Sequence, residues 1–266
     1  MMKKVLFVNQ DITPYVAETE LSGMGRMAPQ RVQEAGCEIR TFMPRWGNIN
    51  ERRGQLHEVI RLSGINITID DTDHPLIIKV ASIPGTKVQV YFIDNEEFFT
   101  RKAQVADDKG TMFADNGERA AFFAHGVIAT IKKLRWTPDV IHCQGWMSAL
   151  VPFYVKKAYN EELGLDGIKV VTSLFDQPQQ EVMAENTKRC FAFNDTDAVA
   201  ALEKYNDTMT SIEMAKIAID YSDGVIMTSA NVSNDITKYA EEAGVKILDC
   251  QDKNFAKAYV DFYETL

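Results

Sequence analysis

The sequence predicts an α/β protein with an open, mainly parallel β-sheet and helices on both faces. Two observations carry this prediction: strand and helix patterns alternate near the N-terminus, and they alternate again from residue 139 to the C-terminus. Parallel strands need a long crossover connection, usually a helix, so this alternation is typical of parallel sheets. A third observation favours one compact unit over residues 1–266, because the chain contains neither repeats nor Ser- or Gly-rich linkers.

The N-terminal unit begins with an apolar, β-branched and aromatic run at residues 5–8, which is typical of a strand buried on both faces. A loop containing two glycines then leads to a helix over residues 26–35. Gly36 ends this helix, because glycine readily adopts the left-handed conformation of a helix C-terminus. Residues 37–43 form the next strand, which stops at Pro44.

The middle of the chain is predicted to contain a set of antiparallel strands followed by one long helix. Three β-rich runs lie at hairpin spacing around residues 57–93 and predict an antiparallel insert or meander, with turns at residues 70–75 and 84–86. From residue 116 to 134, apolar side chains recur at steps of three and four, which indicates an amphipathic helix.

The C-terminal part returns to the α/β pattern. Short apolar runs predict strands at residues 139–142, 169–172 and 224–227. Helices are predicted at residues 149–159 with Ser148 as the cap, at 208–221, from 232 to 243, and beyond Asp252.

Composition excludes several classes of protein. Hydrophobic residues at 45% and charged residues at 25% match a soluble globular protein, and not a disordered, collagen-like or coiled-coil chain. A net charge of -9 disfavours nucleic acid and anionic membranes as partners. Four scattered cysteines without a C-x-x-C pair favour a reducing, cytoplasmic compartment over a disulfide framework or zinc knuckle. The N-terminal apolar run is too short for a signal peptide or a membrane span.

A ligand site is expected beyond the carboxyl ends of the strands, in the loops after Val8, His142 and Thr172. The first loop precedes a helix N-terminus, whose free amides favour an anion. Its candidate cleft residues are Glu18, Glu20, Gly23, Gly25 and Arg26. Their glycine pattern is neither a dinucleotide-binding fingerprint nor a P-loop, so a tight turn with a charged rim is favoured over a phosphate site.

The second loop holds His142, Cys143, Gln144 and Trp146. Adjacent residues of a strand point to opposite faces, so His142 and Cys143 cannot act together as a base and a nucleophile. Gln144 shares a face with His142. Two interpretations stay open: both side chains line a polar pocket floored by Trp146, or His142 is a hydrogen-bonded core histidine.

Three other polar groups have simple structural explanations. The acidic run at residues 70–74 is interpreted as a solvated turn and not a metal site. Three arginines within residues 45–53 are interpreted as a surface rim. Asp115 and Asn116 are natural caps for the helix that follows them. No metal and no cofactor is predicted.

Six segments in order carry a resemblance to a known family: KKVLFVNQDITPYV, APQRVQEAGCEIRTFMP, VQVYFID, FADNGERAAFF, TPDVIHCQGWMSAL and SDGVIMTSANVSNDI. They resemble the N-terminal half of the bacterial glycogen and starch synthases. The resemblance is strongest in two segments: the one around Trp146, and the Asp-Asn-x-x-Arg segment of Asp115, Asn116 and Arg119. The resemblance implies the Rossmann-like N-terminal half of a GT-B fold. It also implies glucosyl transfer from ADP-glucose or UDP-glucose to an α-1,4-glucan in glycogen biosynthesis.

The first loop departs from the family motif Lys-Thr-Gly-Gly-Leu-Ala-Asp. The resemblance aligns Ala17 with the lysine, and it aligns Thr19 and Glu20 with the glycine pair. Only Leu21 is kept. The lysine of the family meets the donor phosphate, whereas Glu18 and Glu20 would repel it.

The second motif of the family, His-x-His-Asp-Trp-His, also departs. Gly145 takes the place of the sugar-contacting aspartate, and residues 172–175 contain no counterpart of the family's catalytic-loop histidine. The resemblance further implies that residues 1–266 are a single N-terminal-type domain without the family's nucleotide-binding domain. No intact catalytic residue is therefore predicted.

Three functional hypotheses follow. The chain is half of a glycosyltransferase that works with a separate nucleotide-binding protein, or it is a noncatalytic α-glucan-binding or regulatory pseudoenzyme. In the third hypothesis, Glu18, Glu20, Arg26 and His142 form a new site for a small molecule. The expected ligands are an α-glucan or a nucleotide sugar, and a noncatalytic or partner-dependent role is favoured.

Overall fold

The computed structural model describes residues 2–159, 165, 167–177, 182–184, 187–191, 196–252 and 254–266. Its strands are β1 (Lys4–Asn9), β2 (Glu38–Pro44), β3 (His57–Glu58), β4 (Ile65–Ile69), β5 (Thr72–Ser82), β6 (Gln89–Asp94), β7 (Val140–Gln144), β8 (Lys169–Leu174), β9 (Gly224–Met227) and β10 (Lys246–Asp249). Its helices are α1 (Glu20–Glu34), α2 (Glu51–Gly54), α3 (Glu96–Phe99), α4 (Asn116–Leu134), α5 (Leu150–Lys156), α6 (Lys188–Phe191), α7 (Thr196–Leu202), α8 (Ser211–Asp220), α9 (Asn234–Glu242) and α10 (Ala256–Thr265). A 3-10 turn at Trp146–Ser148 precedes α5.

The strands form one sheet in the order β10-β9-β8-β7-β1-β2-β6-β5-β3, and β4 pairs with β5 beside it. All neighbours from β10 to β6 are parallel, whereas β5 is antiparallel to β6, and β3 and β4 are antiparallel to β5. The predicted α/β class with a mainly parallel sheet is confirmed. The predicted antiparallel insert extends this same sheet at one edge, and its last strand, β6, belongs to the parallel part.

Helices cover both faces of the parallel strands. His142 and Val225 point to opposite faces, because Val225 is in register with Thr172 and, through it, with Cys143. Tyr263 of α10 bonds to His142 on one face, while Ile212 of α8 packs with Val225 on the other. Burial on both faces explains why β1 is a continuous apolar run. No helix in the described ranges is long and apolar enough to cross a membrane.

The start of α1 was predicted wrongly. The helix begins at Glu20, six residues before the predicted start, because Thr19 and Ser22 form a capping box at its N-terminus. Gly23 and Gly25 therefore lie inside the helix. The predicted end is nearly correct: the helix ends at Glu34, and Gly36 has a φ of 101°.

Two further element predictions need correction. The predicted helix at residues 149–159 is shorter, and Ser148 does not cap it, since its hydroxyl donates to the carbonyl of Gly145 at 2.8 Å. The predicted turn at residues 70–75 is limited to Asp70 and Asp71, because β5 already begins at Thr72. The prediction for α4 matches its observed bounds.

Candidate functional site

The loops that follow the parallel strands converge on one edge of the sheet. The polypeptide leaves β1 towards α1 at this edge, β7 towards the 3-10 turn, and β9 towards α9. The start of α4 lies at the same edge, because α4 connects β6 to β7 and must run antiparallel to both. This edge is where ligands of open parallel sheets bind.

The first loop closes on itself at the start of α1. Ser22 N donates to Thr19 Oγ1 at 3.1 Å, and Thr19 N donates to Ser22 Oγ at 2.8 Å. The Ser22 hydroxyl also donates to the carbonyl of Ala17 at 2.9 Å, and Gly23 N donates to the carbonyl of Thr19 at 2.9 Å. These helix-terminal groups are thus satisfied within the chain, and the exposed Glu18 adds negative charge beside them. The predicted tight turn is wrong, because residues 20–26 belong to α1, but the exposed Glu18 and Glu20 do form a charged rim at the start of that helix.

Glu20 and Arg26 do not converge on a common pocket. Glu20 Oε2 accepts a hydrogen bond from the buried Ser229 hydroxyl, which follows β9, at 2.8 Å. Arg26 Nη2 donates to the carbonyl of Pro84 at 2.8 Å, and Pro84 lies between β5 and β6. In the sheet order, β9 and the β5–β6 pair lie on opposite sides of β1. The predicted grouping of Glu20 with Arg26 is therefore wrong.

The two glycines of the first loop have different surroundings. Gly25 is buried, and a β-carbon at this position would overlap the carbonyl oxygen of Asp11. At Gly23, no atom of the described residues lies within 4 Å of the position of a β-carbon, apart from the nearby backbone of α1 itself. Gly25 therefore permits a close backbone approach between α1 and the segment after β1, and Gly23 has no such role.

His142 is a core histidine. Its Nδ1 lies 2.7 Å from Tyr263 Oη, its Nε2 lies 2.7 Å from Ser173 Oγ, and it has no exposed surface. Burial lowers the pKa of His142 to about 3, so the ring is neutral at physiological pH. Of the two interpretations, the structure supports the hydrogen-bonded core histidine, and His142 lines no cleft.

Gln144 and Trp146 have different surroundings. Gln144 is in register with Asn9 of β1, and both side chains have no exposed surface. Neither side-chain amide has a hydrogen-bond partner among the described residues. Trp146 instead lines a separate, mainly apolar cavity of about 50 Å³ with Phe175 and Ile212. The predicted pocket that combines His142, Gln144 and Trp146 is therefore not formed.

The Asp-Asn-x-x-Arg segment lies at the start of α4. Its Asp115 and Asn116 side chains do not cap the helix as predicted. Asp115 makes no side-chain cap. Asn116 is buried, and its Nδ2 donates to the carbonyls of Val105 at 2.9 Å and Val182 at 3.0 Å. Arg119 Nη1 donates to Asn116 Oδ1 at 2.8 Å. These bonds fasten the start of α4 to the neighbouring loops.

Arg119 is a fully buried cation surrounded by aromatic rings. Its guanidinium lies 5.1 Å from the ring centroid of Trp46 and 5.3 Å from that of Phe99. Burial first, and then the charge of Arg101, lower the pKa of Arg119 to about 10, while Asp115 acts in the opposite direction. The rings compensate part of the lost hydration through cation–π contact.

Sequence reasoning missed two groups at this edge. Arg101 forms a bidentate ion pair with Asp115. Asp11 accepts hydrogen bonds from Trp46 Nε1 at 2.9 Å and from Gln104 Nε2. Burial raises the pKa of Asp11 to about 6, although these hydrogen bonds oppose the shift. The position of Asp11 two residues after the end of β1 was an available signal, whereas a loop arginine such as Arg101 offers none.

The arginines within residues 45–53 do not form one surface rim. Arg45 lies in a network in which its Nε is 3.0 Å from Asp94 Oδ2, and Lys79 Nζ is also 3.0 Å from that atom. Glu51 joins the network, while Arg52 and Arg53 are exposed. The part of this prediction that concerns Arg45 is therefore wrong.

The acidic run at residues 70–74 is a turn only in part. His74 is buried in β5 and lies 2.9 Å from a carboxylate oxygen of Glu97. Among the residues that the structure describes, no group of three or more potential metal ligands occurs.

Comparisons with known proteins agree with this architecture. The family model described as "Starch synthase catalytic domain" matches residues 4–248. The glycogen synthase of Chlorobium phaeovibrioides is 31% identical over 242 residues, which cover 90% of this chain and 48% of the relative. The glycogen synthase of Chlorobium luteolum is 36% identical over 181 residues, which cover 68% of this chain and 37% of the relative. The chain thus spans at most about half the length of these curated relatives.

A solved structure shows the same fold. The catalytic domain of starch synthase IV from Arabidopsis thaliana, bound to ADP and acarbose, superimposes with a TM-score of 0.73 at 17% identity. The match covers 96% of this chain and 53% of the Arabidopsis chain. With the family model matching most of its length, the chain belongs to the glycogen and starch synthase family of GT-B glycosyltransferases.

Proposed function

We propose that this chain is a domain of α-glucan metabolism that binds glucan but does not transfer glucose with its own residues. The Arabidopsis relative is bound to ADP and acarbose, so by analogy the ligand classes are a nucleotide sugar and an α-glucan. A cytoplasmic location stays a prediction.

The closed first loop carries this proposal. A donor phosphate needs free amides or a cation at the start of α1. Here Ser22 N is bonded to the Thr19 side chain, and the exposed Glu18 and Glu20 surround that helix end. Binding a diphosphate at this point would place like charges together, and the diphosphate could reach Ser22 N only by displacing the Thr19 side chain, so both changes are unfavourable.

The carboxylates of the same edge support the proposal. Glu20 is bonded to Ser229, Asp115 to Arg101, and Asp11 to Trp46 and Gln104. A substrate that bonds to one of these carboxylates therefore meets a group whose charge is already partly compensated by a donor of the protein. Electrostatic stabilisation of developing charge is usually the largest catalytic contribution, and it needs groups that face the ligand.

Two residues at the end of β7 and directly after it, Gln144 and Gly145, also support a noncatalytic role. Gly145 has no side chain with which to contact a sugar, and its φ of 87° suits a glycine turn. Gln144 cannot act as a general acid or base, because an amide does not titrate in the physiological range. The buried His142 does not replace that function, since burial keeps its ring neutral and out of solvent.

The decisive experiment is an elongation assay with the purified 266-residue chain. Radiolabelled ADP-glucose or UDP-glucose is incubated with a glycogen primer, and a bacterial glycogen synthase serves as the positive control. We expect no incorporation above the protein-free blank. Label transferred into glycogen by the chain alone would refute the proposal.

Calorimetric titration distinguishes the glucan-binding version of the proposal from the version in which the chain depends on a partner protein. Binding of maltoheptaose without binding of ADP-glucose supports a glucan-binding domain. Tight binding of ADP-glucose would contradict the argument from the first loop. If neither ligand binds until a separate nucleotide-binding protein is added, the partner-dependent version is correct and the glucan-binding version is wrong.

A further inference from the structure

Arg101 and Asp115 form an accessible ion pair at the ligand-binding edge of the sheet. Arg101 Nη1 donates to Asp115 Oδ1 at 2.9 Å, and Nη2 donates to Oδ2. The two side chains are 34% and 31% exposed, so solutes can reach the pair from solvent. A bidentate guanidinium–carboxylate pair is stronger than a hydrogen bond from a neutral hydroxyl. A sugar that approaches Asp115 therefore meets a carboxylate whose charge is already partly neutralised by Arg101.

Asp115 stands at the N-cap position of α4 without capping the helix. An aspartate at this position usually accepts a hydrogen bond from an amide of the first turn. Here the side chain makes no such bond, and the backbone of Asp115, with φ -90° and ψ 15°, lies outside the extended conformation of a usual N-cap residue. The Asp115 carboxylate therefore does not cap the helix, and it is bonded to Arg101 instead.

Packing holds Arg101 in place for this contact. Its guanidinium lies 4.4 Å from the ring centroid of Phe113. Its backbone packs so closely against Gly47 that a β-carbon there would overlap the Arg101 carbonyl. An arginine that is already ordered loses little conformational entropy when it forms an ion pair.

Removing the charge of Arg101 is compatible with the fold. Arg119 lies 5.6 Å from the same Phe113 ring, and the charge of Arg101 contributes to lowering its pKa. Without Arg101, this repulsion disappears, and Asp115 remains to stabilise the buried Arg119 cation. A neutral residue at position 101 therefore leaves the Asp115 carboxylate without its ion-pair partner but still under the influence of the positive charge of Arg119.

We propose that Arg101 is a specificity-determining residue that withdraws the Asp115 carboxylate from the hydroxyl groups of a sugar ligand. This inference rests on the proposed function and deepens it, because it names the contact that limits glucan binding at the edge. Arg101 acts through Asp115 and is therefore a positioning residue.

The test is the affinity of the full chain for maltoheptaose, measured calorimetrically for four variants. R101Q should bind about tenfold more tightly than the wild type, which corresponds to one charge-assisted hydrogen bond to the freed carboxylate. R101Q/D115N should return to the wild-type affinity. R101K should give a smaller gain, because a lysine cannot engage both carboxylate oxygens as a fork. R31Q removes an exposed charge from α1 and should change nothing.

An unchanged affinity of R101Q would overturn the inference, and so would a gain that persists in R101Q/D115N. If circular dichroism shows that R101Q is unfolded, R101K decides the question, and the absence of any gain overturns the inference. A loss of packing would not raise affinity, so the gain is a readout that a merely structural role would not produce. Glucan elongation by the wild type would refute the proposed function, whereas the coupling between Arg101 and Asp115 would still be measured independently.

Discussion

Two glycines of the same helix should respond in opposite ways to the same substitution. Gly25→Ala places a methyl group into the carbonyl oxygen of Asp11, whereas Gly23→Ala places it where, apart from the nearby backbone of α1 itself, no atom of the described residues lies within 4 Å. Both positions lie inside α1 and neither has a positive φ. The pair therefore isolates the effect of the close backbone approach from the effect of helix propensity.

The expected magnitudes follow from the contacts at each site. Alanine in a helix interior is favoured over glycine by about 1 kcal/mol, so Gly23→Ala should stabilise the protein by up to that amount. At Gly25 a carbon–oxygen contact of about 3.3 Å can be restored only if the backbone after β1 moves by about 1 Å. That movement strains packing and weakens the Trp46 hydrogen bonds to Gln10 and Asp11. We expect a net loss of about 3 kcal/mol.

Urea unfolding followed by tryptophan fluorescence and far-ultraviolet circular dichroism measures both effects. The unfolding midpoint should rise slightly for Gly23→Ala and fall clearly for Gly25→Ala, with similar slopes. Equal midpoints for the two variants would refute the assignment of Gly25 to a close backbone contact. A loss of stability in Gly23→Ala would show that the start of α1 is not helical as described.

Three other substitutions test the interior of the sheet edge, each by urea unfolding. Asp94→Asn leaves Arg45 and Lys79 without their shared buried carboxylate and should lower the free energy of unfolding by about 3 kcal/mol. The control Asp261→Asn removes a carboxylate from an exposed pair and should lower it by less than about 0.5 kcal/mol. Equal losses of stability in the two variants would contradict the network. The pKa of Asp11 is raised in the folded state, to about 6 from 3.8, so the folded protein binds more protons between these values and its stability falls as pH rises through this window. Asp11→Asn should flatten that slope and raise stability at pH 8 by about 1–3 kcal/mol; an unaltered pH profile would contradict the assignment. Tyr263→Phe leaves the Nδ1 of a buried histidine without its partner and should cost about 1–3 kcal/mol, and a neutral outcome would mean that this bond is not formed.

Local patterns predicted much of the fold. The bounds of α4 follow from its apolar spacing, and the burial of β1 follows from a continuous apolar run. The start of α1 was missed because two glycines were taken as loop residues, although the Thr19–Ser22 pair was a capping signal. The short strand β10 was missed because its side chains are mostly exposed and show no clear period.

Contacts between distant residues explain why the candidate site was predicted less well. Asp11 and Gln104 are 93 positions apart, and Glu20 and Ser229 are 209 positions apart. No period or motif in one sequence connects such pairs. The chain direction of a helix also separates residues that are close in sequence, which is why Glu20 and Arg26 reach opposite sides of β1.

The internal bonds at the sheet edge affect how much free energy a ligand could gain from the carboxylates there. A carboxylate in a partly buried cleft must be paired with a ligand, with water or with a protein donor. In this chain Ser229 and Arg101 supply protein donors to Glu20 and Asp115. Where a sugar replaces such a donor, binding gains only the difference between two hydrogen bonds, and not a full new interaction. In the proposed glucan complex, these donors should therefore lower the affinity of the edge for the sugar.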